Sequence, residues 1–346
     1  MKKWRKVTLK TLLALTLTTS SIYIFAPWEF ALYYFNRLPE TVEAQVDEAV
    51  LQNIDGMIVY TQKAGEPPAL YASGWHDRQS QIPASPSALF KIASIAKLYD
   101  AVAVTQLVAS NKLNLDGTLG EYMPTLIGRI EYADQITLRM MVQHKSGIPN
   151  FTDQEGFDWT DSSLDVLALA LGKPADFAPG TDYGYSNTNY LLLQNIMTQT
   201  LGYDYSQYLK EAILAPLGLK RTYFSIHEVN LEELMNGYYV GYEKGYKALD
   251  QGYVASAEDV GVFLRALNNG TLFNDQEREI YSSLYEYGHT GWVLGYSSIA
   301  RYHSDIDTVV IQFTSTTGND TVLLTQIIYD RILSILREQT KNQSDN

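Results

Sequence analysis

The stretch "FKIASIAKLY", residues 90–99, places Ser94 three positions before Lys97 in an apolar run that reads as the start of a helix. On a helix, positions i and i+3 share a face and lie about 4.5 Å apart along the axis, so the two side chains can touch. A serine hydroxyl is a weak nucleophile at neutral pH and needs a base. Lysine can be that base only when neutral. Its reference pKa is about 10.4, so a depression of about three units, worth about 4 kcal/mol, must come from a dry pocket or a nearby cation. Ile92, Ala93, Ile95, Ala96 and Leu98 could supply the dryness. The chemistry on offer is attack on a carbonyl and transfer of the acyl group to serine. Taken alone the pair decides nothing, because S-x-x-K recurs by chance and Ser94 could equally be a helix cap.

Two later groups change that reading. Residues 183–190, "YGYSNTNY", hold Tyr185, Ser186 and Asn187, and residues 289–292 read His289, Thr290, Gly291 and Trp292 at the front of an expected strand. Singly, Tyr185 is one of 26 tyrosines, Asn187 suits a turn and His289 suits a satisfied or exposed histidine. In this order, S-x-x-K, Y-x-N and [KH]-T-G resemble the three-motif signature of the serine β-lactamases and penicillin-recognising enzymes. The branch resembled holds class C β-lactamases, DD-carboxypeptidases and related esterases. The likeness extends over nearly the whole body: "SGWHDRQSQIPASPSALFKIASIAK", "LRMMVQHKSGIPNF", "FAPGTDYGYSNTNYLLL", "LAPLGLKRTYF" and "GYVASAEDVGVFLRALNNG" are each similar to a family segment, in the family's order.

The resemblance implies that Ser94 becomes acylated while Lys97 and Tyr185 share the proton transfers. A phenolate at Tyr185 would need cations beside it, so it should titrate together with Lys97. Asn187 is implied to hold Lys97 and offer its amide to substrate, and the backbone N–H groups of Ser94 and Trp292 to form the oxyanion hole. Gly291 suits a strand that a ligand approaches closely. His289, with Thr290 and Gly291, stands where class C β-lactamases carry lysine; a largely neutral imidazole shifts the expectation toward peptidase or esterase. Two departures stand out. Lys145 replaces a usual threonine, which could alter loop packing, and bulky Trp292 could narrow the acyl pocket. His144 reads as structural, and His76, His227 and His303 are scattered without H-E-x-x-H, so neither metal nor cofactor is expected.

These residues need rigid supports. "DGMIVYTQ" (55–62) and "ALYASGW" (69–75) read as strands, as do "GWVLGYSSIARYH" (291–303) and "TVVIQFTST" (308–316) around an Asp-containing turn. "DTVLLTQIIYDRILSILRE" (320–338) has apolar residues at helical spacing. Residues 93–230 are mostly helical in period. The fold class expected is α/β of the α+β type: an antiparallel sheet formed by both chain ends, flanked by helices, with an inserted mostly helical lobe, β-lactamase/DD-peptidase-like.

Lys2, Lys3, Arg5, Lys6 and Lys10 precede an uncharged stretch from Thr11 to Trp28 with no clear cleavage site. Residues 1–37 are therefore expected to be a single-pass membrane anchor with the catalytic domain outside the cytoplasm, or else a signal segment whose removal leaves a secreted or periplasmic protein. A mobile linker is expected at about residues 36–42, the hydrolase domain over 38–340 and a polar tail over 341–346. Without cysteine, lipoprotein attachment, disulfides and thiol catalysis are excluded. Beyond Arg37 the chain carries 20 basic and 38 acidic residues, a balance that repels nucleic acid. The function expected is an exported serine hydrolase on small-molecule or peptide substrates, cell-wall peptide included. DD-carboxypeptidase-like peptidase stands first, then amidase or esterase; a β-lactamase or a non-turnover binder of cell-wall fragments is the alternative.

Overall fold

The computed structural model describes residues 10–11, 14–21 and 28–344. The strands in chain order are β1 (Gly56–Lys63), β2 (Ala69–Asp77), β3 (Ile82–Pro83), β4 (Phe90–Lys91), β5 (Thr222–Tyr223), β6 (Tyr238–Tyr239), β7 (Val254–Ala255), β8 (His289–Val293), β9 (Tyr296–His303), β10 (Thr308–Thr314) and β11 (Thr316–Thr317). The principal helices are α1 (Trp28–Phe35), α2 (Val42–Val50), α3 (Ala96–Ala109), α4 (Leu138–Val142), α5 (Asn187–Leu201), α6 (Ala257–Asn269), α7 (Asp275–Leu284) and α8 (Thr321–Ser344).

Six strands form an antiparallel sheet in the order β3-β2-β1-β10-β9-β8. The two chain ends meet at its centre, where β1 pairs with β10 from Met57↔Thr314 to Lys63↔Thr308. Side chains alternate across a strand. Met57 and Val59 on β1 and Val310 on β10 thus meet α1, α2 and α8, whereas Ile58, Tyr60, Val309, Ile311 and Phe313 face the larger core under α3, α6 and the helical lobe. The expected sheet, built from both ends and flanked by helices, is the one observed. Helix α3, which follows Ser94, buries Leu98, Tyr99, Ala101, Val102, Val104 and Leu107 completely. A helix apolar on every side belongs in the interior, and its rigidity there fixes the nucleophile's support.

Three details differ from expectation. The strand expected over 291–303 is a hairpin, β8 and β9, broken at Gly295, whose φ of 89° only glycine adopts readily. Helix α8 runs on to Ser344, into the expected polar tail, where Gln343 accepts from Lys63 Nζ at 2.6 Å and, a turn earlier, Gln339 donates to the Glu40 carbonyl at 3.3 Å. The segment expected as a mobile linker is held. Arg331 on α8, 2% exposed, donates to the carbonyls of Tyr33, Asn36 and Arg37, to Gln45 Oε1 and to Glu48 Oε1, while Tyr33 is buried and accepts from Gln45 Nε2 at 2.7 Å. Much of the expected anchor lies outside the described residues. Among those described, no helix is long and apolar enough to cross a membrane.

Candidate active site

Strand β4 delivers the chain to the nucleophile, and Ala93 turns it sharply with φ 51°, a left-handed value that costs a non-glycine residue about 1–2 kcal/mol. Ser94 then sits in a single 3₁₀ turn, Ala93–Ile95, at the entrance to α3. Its Oγ lies 2.6 Å from the Tyr185 hydroxyl and 3.1 Å from Lys97 Nζ, and the same Nζ donates to Asn187 Oδ1 at 2.9 Å. Four residues separated by up to 93 positions thus converge on one hydrogen-bonded cluster.

Lys97 is 7% exposed and lies over the rings of Tyr185 (5.1 Å) and Tyr190 (5.3 Å). Burial pulls its pKa down to about 8, opposed by the Asp100 carboxylate. The dry pocket inferred from the apolar flanks is therefore present, and it makes a neutral lysine accessible near neutral pH. Burial pushes Tyr185 the other way, up to about 12, although its bond to Ser94 opposes this. Tyr185 therefore rests as a phenol, and Lys97 is the group of the pair whose charge changes near neutrality.

Asn187 begins α5. Its backbone N–H donates to Asn150 Oδ1 at 3.0 Å and its side-chain amide to the same oxygen at 3.3 Å. The amide assigned to substrate is thus already engaged by Asn150, a residue the sequence reading passed over, although it closes the "HKSGIPN" loop of the resemblance. The same loop supplies His144, whose ring stacks on Tyr185 at 4.4 Å and whose Nδ1 accepts the Ser186 backbone N–H at 3.1 Å. Burial holds His144 down at about 3. It is a neutral wall behind the tyrosine, in keeping with a structural role. Lys145 is exposed, so the loop packs without its side chain.

The third motif lies on β8, the sheet's edge strand, packed against the Ala93–Ile95 turn. A Cβ on Gly291 would stand 2.3 Å from Ser298 Oγ, 2.5 Å from the Ile92 carbonyl and 2.9 Å from Ala93 Cβ. The glycine is thus required by the approach of the nucleophile's own turn, a reason beyond the ligand approach expected from sequence. His289 lies 6.5 Å from the Tyr185 ring, centroid to centroid, and burial pulls it down to about 4. Its Nε2 is 3.4 Å from Glu286 Oε1 and its Nδ1 contacts the Thr290 carbonyl, so a neutral ring has one N–H for two acceptors. Thr290 is exposed on the cleft side, and Trp292 is 38% exposed.

A cleft of about 1510 Å³ opens over Ser94. Trp292 continues into an aromatic row, with Trp159 at 5.9 Å, Phe157 at 4.9 Å from Trp159 and Phe151 at 5.6 Å from Phe157. Trp292 is therefore one of several rings lining this side of the cleft, as the spacing of aromatics in "FTDQEGFDW" could have suggested. Asp100, Asp153, Asp158, Asp161, Asp250 and Asp320 line the cleft, against the cations Lys97 and Arg301. Among the described residues no group of three His, Asp or Glu could hold a metal ion.

Known proteins resemble this chain in sequence and in shape. Protein flp of Staphylococcus aureus (strain MW2) is 29% identical over 198 residues, 54% of this chain and 39% of flp. A protein described as Beta-lactamase from Pseudomonas fluorescens is 30% identical over 198 residues, 57% of this chain and 53% of that protein. The chain thus spans about two fifths of the first relative and about half of the second. In shape it is similar to the D-amino acid amidase of Ochrobactrum anthropi SV3 complexed with D-phenylalanine, with TM-score 0.75, 21% identity and coverage of 86% of this chain and 98% of that one. It is also similar to a penicillin binding protein from Bacillus halodurans, with TM-score 0.71, 20% identity and coverage of 85% and 99%. A family model described as Beta-lactamase matches residues 40–286.

Proposed function

This chain belongs to the beta-lactamase family, and from that premise we propose that it is a serine hydrolase that cleaves small amides or peptides through an acyl-enzyme on Ser94. The observation that carries the reading is the contact of Ser94 Oγ with both Lys97 Nζ (3.1 Å) and the Tyr185 hydroxyl (2.6 Å). In acylation, Ser94 Oγ bonds to the substrate carbonyl carbon and its proton passes to neutral Lys97. As the C–N bond breaks, Tyr185 gives its proton to the leaving nitrogen and is reprotonated by Lys97, so the net transfer is one proton from serine to amine. Deacylation runs the transfers in reverse, with water as the nucleophile. The N–H groups of Ser94 and Trp292 would receive the oxyanion.

Within this class we place amides, peptides and esters lacking a free carboxylate beside the scissile bond ahead of carboxypeptidase and β-lactam substrates. Two features favour this order: His289 is neutral where a cation would meet a carboxylate, and, beyond the buried Asp100 and Lys97, five aspartates line the cleft against one cation, Arg301. The amidase of similar shape bound D-phenylalanine, and the aromatic row beside Ser94 suits an acyl group of that kind. We also place the enzyme at a membrane, attached through residues 1–37 with the catalytic domain outside the cytoplasm; the basic residues followed by an uncharged stretch support this.

The test is hydrolysis by the full chain of D-phenylalanine amide, a D-Ala-D-Ala peptide, a p-nitrophenyl ester and a fluorescent penicillin, with Ser94→Ala alongside. Repeated turnover of the amide and ester, a weaker rate on the peptide and no activity in Ser94→Ala are expected. Wild-type rates in Ser94→Ala would refute the mechanism; a single burst without turnover would mark a binder instead of a hydrolase.

A further inference from the structure

One helical turn beyond Lys97, α3 carries Asp100, a carboxylate only 1% exposed. Tyr253 donates its hydroxyl proton to Oδ1 at 2.7 Å, and Gln194 Nε2 donates to Oδ2 at 2.9 Å. Neither partner carries charge, and among the described residues no cation forms a salt bridge with Asp100. Lys97 is in the same position from the other side. Its hydrogen-bond partners, Ser94 Oγ and Asn187 Oδ1, are both neutral. An isolated buried charge is expensive, so two opposite ones at i and i+3 in one dry interior stabilise each other without touching.

The other groups facing the pair are uncharged near neutral pH. Burial raises Tyr185, Tyr190, Tyr205 and Tyr253, and lowers His144 and His289. Glu286 acts on Tyr185 and Asp250 on Lys91, not on this pair. Asp100 and Lys97 are thus the two opposite charges of the site's interior.

We propose that Asp100 is a positioning residue for the hydrolysis, whose buried carboxylate sets the basicity of Lys97 and stabilises the ammonium formed when Ser94 gives up its proton. This rests on the Ser94 acyl-enzyme reading above. Burial raises Asp100 to about 6, against the hydrogen bonds from Tyr253 and Gln194, so it is ionised throughout the range in which Lys97 titrates. In each acylation the proton moves from Ser94 Oγ to Lys97 Nζ as the Oγ–C bond forms, and the new ammonium faces Asp100. The carboxylate neither accepts that proton nor touches substrate.

The experiment is the pH profile of kcat/KM of the full chain on an uncharged p-nitrophenyl ester. Lys97 must be neutral to act, so activity rises as pH passes upward through its pKa. Asp100→Asn removes the charge, makes Lys97 less basic, and is expected to move this acid limb to lower pH by about one unit while lowering the plateau about tenfold. Asp100→Glu keeps the charge and should leave the limb near its wild-type position. Asp100→Ser serves as a second neutral variant should asparagine pack badly against Gln194. A folded neutral variant whose limb stays where wild type has it, with activity lowered equally at all pH, overturns the proposal. Ser94→Ala in the same assay separates the two readings: if it is inactive while the Asp100 limb does not move, only the role of Asp100 falls; if it is active, the acyl-enzyme reading falls first.

Discussion

Gly291→Ala should damage catalysis through a residue that has no functional group to lose. The added Cβ would stand 2.5 Å from the Ile92 carbonyl, 2.9 Å from Ala93 Cβ and 2.3 Å from Ser298 Oγ. Ser298 cannot simply rotate away, because its hydroxyl donates to that same Ile92 carbonyl at 3.0 Å. Relieving the carbon–oxygen contact requires β8 and the Ala93–Ile95 turn to part by most of an ångström, and Ser94 rides on that turn. Overpacking of this kind costs about 1–3 kcal/mol, or roughly 2–10 °C of Tm for a domain of this size. A misplacement near 1 Å at a nucleophile costs about a hundredfold in rate. The assay is kcat/KM on the p-nitrophenyl ester together with a thermal melt. Gly202→Ala is the control: that glycine has φ 77° and nothing within 4 Å of its would-be Cβ, so it should lose about 1 kcal/mol of stability and no activity. Wild-type kcat/KM in Gly291→Ala would refute the claim that the close approach of β8 sets the position of Ser94.

His289→Lys supplies the missing cation, and an ion pair of about 1 kcal/mol should lower KM roughly fivefold for a peptide ending in a free carboxylate; an unchanged KM for that peptide relative to its amide counts against the electrostatic reading. Arg331→Met leaves the carbonyls of Tyr33 and Asn36 and the Glu48 carboxylate without their partner, so a loss of about 3 kcal/mol and faster proteolysis within residues 36–42 are expected at unchanged kcat/KM; wild-type digestion rates would contradict the clamp. Stability should fall as pH drops from about 6.5 toward 4. The unfolded chain's imidazoles take up protons there, while His144 and His289, held at about 3 and 4, remain neutral in the fold. Each contributes about 1.4 kcal/mol per pH unit, and Asp100, protonated in the fold from about 6 downward, offsets one of the two. Denaturant unfolding at pH 7 and pH 5 reads the difference, and equal stability would be inconsistent with buried neutral histidines.

The sequence was most informative where pattern is local. The β-branched and aromatic runs in "DGMIVYTQ" and "TVVIQFTST" and the helical spacing in "DTVLLTQIIYDRILSILRE" marked strands and helix, and the order of three short motifs brought Ser94, Lys97, Tyr185 and Asn187 to one site. What escaped depends on contacts across the fold. Ala93 at positive φ has no compositional sign, since alanine seldom takes that conformation. The Asn150 contact with Asn187 joins residues 37 apart, and the Arg331 contact with Tyr33 joins residues 298 apart. Asp100 was within reach of the argument already applied to Ser94 and Lys97, being again three residues onward, yet a carboxylate in an apolar run gives no hint of its burial. Gly295 was hidden by the hydrophobic residues on both sides of it, which read as one continuous strand.

Helix α8 has its first turns at the rim of the cleft, where Asp320, Val322 and Leu323 form part of the lining, and about 15 Å further along it Arg331 grips the chain at Tyr33, Asn36 and Arg37. The cleft and the stretch of chain that enters the domain are therefore two ends of one stiff strut. A tether joined through a flexible linker would let the active site face any direction; under the proposed attachment through residues 1–37, a rotation of α1 would swing the mouth of the cleft with it. The hydrogen bonds that hold that stretch of chain to α8 centre on one guanidinium, buried more than 230 residues downstream of the nucleophile.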